Sequence, residues 1–216
     1  MIEHTDITIL GTTTLKNKLG INDPEQLATA EADLTAFRLV ELRIAPIPGG
    51  FDSVHLQEIH HHVYQDFYDW AGELRRVDAG SRLASDVATS LNAVLDRLGR
   101  ENHLKGRSPE EWLHSASAYI YDLGAIQPFL YGNEVALREF AVELARKNNL
   151  GLRWDTVTEV GTSDAMRHLD QSEQSANIRR MVMLAMDTDP SSTRPGRGSV
   201  VERDIERLFS GGSRLR

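Results

Sequence analysis

The stretch SPEEWLHSASAYIYDLGAIQPFLYGNEVALREFAVELARK, residues 108–147, decides the architecture. It opens on Ser108-Pro109-Glu110-Glu111, where a serine N-cap, a proline at the first helical position and a glutamate at the third make a capping box. Trp112, Ala116, Tyr119, Ile120 and Leu123 then recur at helical spacing as far as Gly124. A loop containing Gln127-Pro128-Phe129 leads to Gly132-Asn133, where a second helix starts, with Val135 or Ala136, Phe140, Ala141 and Leu144 on its apolar face and an end before Asn148-Asn149. Two helices flanking a loop with proline and glycine predict an αα corner. A Gly-Asn turn opening a helix also gathers backbone N–H groups at the positive end of the helix dipole, an arrangement that binds phosphate. From spacing alone, a plain corner with a left-handed glycine accounts for the same residues.

Working toward the N-terminus, Asp23-Pro24 with Gln26 is a helix start, and Leu27, Ala30, Leu34, Phe37 and Val40 give one apolar face up to Pro46 and Pro48. Leu56, Ile59, Val63, Phe67 and Trp70 predict a second amphipathic helix ending near Ala71-Gly72. Residues 73–84 read as a short β-hairpin or loop, with turn chemistry at Ala79-Gly80-Ser81, and are the one strand candidate of weight. Val87, Leu91, Val94, Leu95 and Leu98 make 85–103 helical again. Working toward the C-terminus, Met166, Leu169, Ile178, Met181, Val182 and Ala185 predict a helix over 162–186. Pro, Gly, Ser, Thr and Arg then dominate, as in a linker. Beyond it, Ser199 and Glu202 form another capping box before Val201, Ile205 and Leu208. The chain thus divides into a domain over 1–187, a linker over 188–199 and a short helical tail over 200–216 that docks back or binds a partner.

Composition narrows the function. Lys and Arg number 24 against 32 Asp and Glu, a net charge of −8 that argues against nucleic-acid or anionic-membrane binding. The absence of cysteine excludes disulfides, thiolate nucleophiles, iron–sulfur clusters and Cys-type zinc sites. The N-terminus lacks signal-peptide order, and the longest apolar run is the six residues MVMLAM at 181–186, so a soluble, cytoplasmic protein is expected. His60-His61-His62, with His55 and Asp66 nearby, invite a metal reading, but three consecutive helical residues point in three directions, and no metal site is expected there. Trp70, Trp112 and Trp154 read as core anchors.

The segment AIQPFLYGNEVALREF, residues 125–140, resembles the signature of the Fic family, His-x-Phe-x-Asp/Glu-Gly-Asn-Gly-Arg-x-x-Arg. Three further stretches resemble the family in order: TTTLKNKLGINDPEQL, GGFDSVHLQEIHHHVYQDFYDWAGELRRVD and LRWDTVT. The likeness covers about residues 11–160. It implies a mainly α, Fic-type helical bundle with a short β-hairpin flap ahead of the motif helices, and transfer of AMP from Mg-ATP to a hydroxyl of a target protein. Position by position, the resemblance puts Gln127 where the family has its general base, a histidine, and an amide takes no proton near neutral pH. Tyr131 stands at the magnesium-ligand position, Glu134 at the second glycine and Val135 at the first arginine. Phe129, Gly132, Asn133 and Arg138 match, so Gly132, Asn133 and Arg138 are the residual nucleotide-binding candidates. Glu134, stabilised by the helix dipole, is expected to fill the vacant anion site.

The resemblance also implies that the flap, with Arg75, Val77, Gly80, Ser81 and Arg82, registers a target segment by strand addition, and a purely structural hairpin covering the motif loop stands as the alternative. An inhibitory Ser/Thr-x-x-x-Glu-Gly/Asn segment, which some members carry and toxin-type members receive from an antitoxin, is absent from this sequence. The reading that follows is a catalytically degenerate binding or regulatory module, needing no cofactor and engaging a protein partner: a target, an active relative or an antitoxin. The alternative is an active nucleotide-dependent transferase with a non-standard motif, which would need ATP and magnesium.

Overall fold

Asp23 starts the first helix by accepting the Gln26 N–H at 2.8 Å, and Pro24 fills the first turn of α1 (Pro24–Ile44). Asp52 starts α2 (Ser53–Tyr64) in the same way, through the His55 N–H at 2.9 Å. A 3-10 turn at Ala84–Asp86 leads into α3 (Val87–Arg100), and another at Asn102–Leu104 precedes α4 (Pro109–Ile126). The box at the head of α4 is closed both ways: the Glu111 carboxylate accepts the Ser108 N–H at 2.8 Å, and Ser108 Oγ accepts the Glu111 N–H at 3.3 Å. Then come α5 (Asn133–Lys147), β1 (Gly151–Leu152), α6 (Gln171–Ala185) and β2 (Met186–Asp187). This computed structural model describes residues 7–79, 81–154 and 171–187.

α5 is the central helix. It buries Ala136, Leu137, Phe140, Ala141, Val142, Leu144 and Ala145, and also Glu139 and Glu143, so that it is enclosed all round, as a core helix must be. α2 and α4 flank it, and α4 in turn packs on α3 and α6. Trp112, Phe67, Phe129 and Phe140 are among the largest fully buried side chains, each contributing roughly 1.5–3 kcal/mol by leaving water. β1 and β2 pair antiparallel, Gly151 opposite Asp187 and Leu152 opposite Met186, which ties the end of α6 to the segment after α5. Among the described residues no helix is long and apolar enough to cross a membrane.

Several expectations are corrected. Phe37 of the expected α1 face is 49 % exposed while Glu31 and Leu42 are buried, because Glu31 is drawn inward by the hydroxyls of Tyr68 and Tyr131. The helix expected to reach Trp70 stops at Tyr64: the N–H groups of Phe67 and Tyr68 both turn back to the Tyr64 carbonyl, and the Phe67 carbonyl is taken by the Lys18 N–H at 2.7 Å. The flap hairpin is reduced to a single bridge, Ala79–Arg82. The pair β1–β2 was not foreseen. Gly80, Met166, Leu169, the linker over 188–199 and the tail over 200–216 lie outside the described residues.

Candidate functional site

The loop from α4 to α5 is held by its own backbone polarity. Gln127 caps α4 in the left-handed region, φ 49°. Its carbonyl accepts from Arg75 Nε at 2.7 Å, and the Pro128 carbonyl accepts the Arg75 N–H at 2.9 Å. Asn133 closes the turn from within: its Oδ1 accepts the Phe129 N–H at 2.8 Å and its Nδ2 donates to the Phe129 carbonyl at 2.9 Å, so the side chain stands in for a backbone pair. Gly132 takes φ 72°, and a Cβ there would lie 2.3 Å from the Tyr64 ring. Conformation and space both require glycine at this point.

His60 supports the loop from beneath. Its ring stacks on Phe129 with centroids 3.8 Å apart. Nδ1 accepts the Gly72 N–H at 2.8 Å, which leaves the proton on Nε2 to donate to the Tyr131 carbonyl at 3.0 Å. Burial pushes this imidazole down to about 4, partly opposed by the Tyr131 carbonyl, so it is neutral at pH 7. The other histidines of the triplet point elsewhere, His61 Nδ1 to the Ala71 carbonyl and His62 Nε2 to Glu41, while Asp66 is paired with Arg38. Among the described residues no group of three or more His, Asp or Glu is arranged to hold a metal ion.

The side chains at the motif positions are engaged with one another or with the core. Tyr131 donates its hydroxyl to Glu31 at 3.1 Å, and burial followed by the Glu31 charge pushes the phenol up to about 12. Glu134 forms an ion pair with Arg138 one turn further along α5. Arg138 also lies over the Trp154 ring at 5.4 Å, and Trp154 Nε1 donates to its carbonyl at 3.1 Å. Gln127 and Val135 are half-buried. The groups at the motif positions are therefore an amide, a protonated phenol and a carboxylate–guanidinium ion pair, all able to make hydrogen bonds.

On the flap, Arg75 is 6 % exposed and turned toward the motif loop, Val77 is half-buried, and Ser81 and Arg82 are exposed. Glu31 and Tyr64 are site residues that sequence reasoning missed, and His60, weighed there only as a metal ligand, instead supports the motif loop. Glu31 had a readable signal, since it sits four residues after Leu27 and three before Leu34, a carboxylate on an apolar stripe. His60 and Tyr64 had none, because their partners are 71 and 68 residues away.

A model of the Fic/DOC family matches residues 50–145. The protein adenylyltransferase VbhT of Bartonella schoenbuchensis is 36 % identical over 65 % of this chain, which spans 30 % of that relative's length. The probable protein adenylyltransferase Fic of Salmonella typhimurium is 30 % identical over 83 % of this chain and 92 % of its own length. Among solved structures, the BepC protein of Bartonella tribocorum with bound AMPPNP superposes with a TM-score of 0.77 at 24 % identity, over 85 % of this chain and 97 % of that one. At that identity the likeness is one of fold.

Proposed function

The chain belongs to the Fic/DOC family, and from that premise we propose that it is a binding or regulatory module that has lost AMP transfer. The observation that carries this reading is the pairing of Arg138, the arginine retained from the motif, with Glu134. A half-exposed i,i+4 pair contributes only about 0.5 kcal/mol. The pair therefore matters less as a bond than as a sum of charge, since Glu134 offsets the charge of the arginine retained from the motif. With Val135 in place of an arginine, a charge-assisted hydrogen bond of about 1.5–3 kcal/mol is also missing.

The residues present do not fit magnesium either. The Tyr131 phenol stays protonated and is directed at Glu31, and a neutral phenol is a poor ligand for a hard cation. Gln127 can orient a hydroxyl but cannot deprotonate it. By contrast, the loop framework built by Asn133, His60 and Arg75 is fully assembled, which supports retention of the fold for recognition of another protein. The partner we propose is a target segment, an active relative or an antitoxin, met in the cytoplasm.

A second reading, an active transferase with a non-standard motif, draws on the same assembled loop with Gly132, Asn133 and Arg138 in place. Calorimetric titration with Mg-ATP separates the two. The degenerate reading expects no binding heat from the native chain and measurable binding once Glu134→Gly and Val135→Arg are combined. Binding by the native chain that disappears in Arg138→Ala supports the transferase.

A further inference from the structure

We infer that Arg75 mechanically couples the flap to the motif loop, so that a displacement of either is felt by the other. The inference rests on the reading of the chain as a protein-binding module and deepens it, because it says how a strand laid on the flap would reach Gln127.

The argument starts from the guanidinium, whose five N–H donors lie in a rigid plane. In this chain they meet backbone carbonyls on two different segments. On the loop side, Nε donates to Gln127 O at 2.7 Å and an Nη donates to Ile126 O at 3.3 Å. On the flap side, the other Nη donates to Val77 O at 2.7 Å and to Arg82 O at 3.1 Å. The main-chain N–H of the same residue donates to Pro128 O at 2.9 Å.

Ile126 and Gln127 end α4, so two of these carbonyls belong to the last turn of a helix, which has no intrahelical donors for them and carries the negative end of the dipole. Arg75 thus satisfies the end of α4 and the inner edge of the flap with one buried group. A flap that moves away takes Val77 and Arg82 from that group and alters its hold on Gln127, and a loop that moves does the reverse. Such coupling is reciprocal by thermodynamic necessity.

Hydrogen–deuterium exchange of the free full chain, read by peptide mass spectrometry, tests this without partner or nucleotide, so its failure is distinct from failure of the binding reading. Arg82→Pro removes the N–H that bonds to Ala79 O at 3.1 Å, on the flap alone. Asn133→Ala removes both bonds to Phe129, in the loop alone. The expected result is a several-fold faster exchange of the Phe129 amide segment in Arg82→Pro and of the Ala79–Arg82 segment in Asn133→Ala. Both cross-effects should vanish in an Arg75→Ala background and shrink in Arg75→Lys, which keeps the charge and supplies fewer donors. The α3 amides serve as the reference for global opening, and the lysine variant carries the test if the alanine variant does not fold. Exchange confined to the perturbed segment, or cross-effects unchanged without Arg75, overturns the inference.

Discussion

Burial shifts His60 and Glu139 in opposite directions, with opposite consequences for stability. His60 is pushed down to about 4, so the unfolded chain takes up a proton near 6.5 that the folded chain refuses, and stability is lost as the pH falls through that window. Glu139 is pushed up to about 7, chiefly by burial, with Arg43 opposing and Glu143 adding to it. Its contribution is complete below the unfolded value near 4.5 and is lost as the pH rises to 7. Each spans about 3 kcal/mol at full extent, and the two slopes offset one another between about pH 4.5 and 6.5. Denaturant unfolding from about pH 4 to 8 should show Glu139→Gln more stable than the parent at the alkaline end and rising in stability through the range in which His60 titrates in the unfolded chain. Parallel curves for the two proteins would contradict the assignment. At this scale the sequence was legible at the motif positions and blind to their supports. Gln127, Tyr131, Glu134 and Val135 stand at the motif positions in the sequence itself, whereas the salt bridge from Glu134 to Arg138 competes with other rotamers, and only the fold selects it.

Among the elements, the loop-to-helix joint before α5 is the most constrained. Gly132→Ala forces an L-residue into φ 72° and sets a Cβ against the Tyr64 ring. Its cost is at least about 2 kcal/mol. Gly99→Ala in α3 meets no atom within 4 Å and should be neutral or stabilising. Thermal unfolding of the pair checks this, since a chain of this size loses roughly 2–4 °C per kcal/mol, and equal midpoints would contradict the stated crowding. The element starts were legible because Asp23, Ser108 and Gly132 act locally. The end of α2 and the pairing of β1 with β2 were not, because the first depends on Lys18 and the second joins residues 34 or more apart in sequence.

Over the described residues, α5 is the central helix, α2 and α4 flank it, and the motif loop is clasped between them. The net charge of −8 says little about the chemistry of that loop; the local cancellation at Glu134 and Arg138 says more. The central claim is that the fold persists without the transfer reaction. The direct test is transfer of AMP from ATP labelled at the α-phosphate, with cell extract as acceptor. One arm uses the native chain and the other the variant combining Gln127→His, Tyr131→Asp, Glu134→Gly and Val135→Arg. The account predicts no labelled protein with the native chain and labelling with the variant; labelling by the native chain that is lost in Arg138→Ala would contradict it.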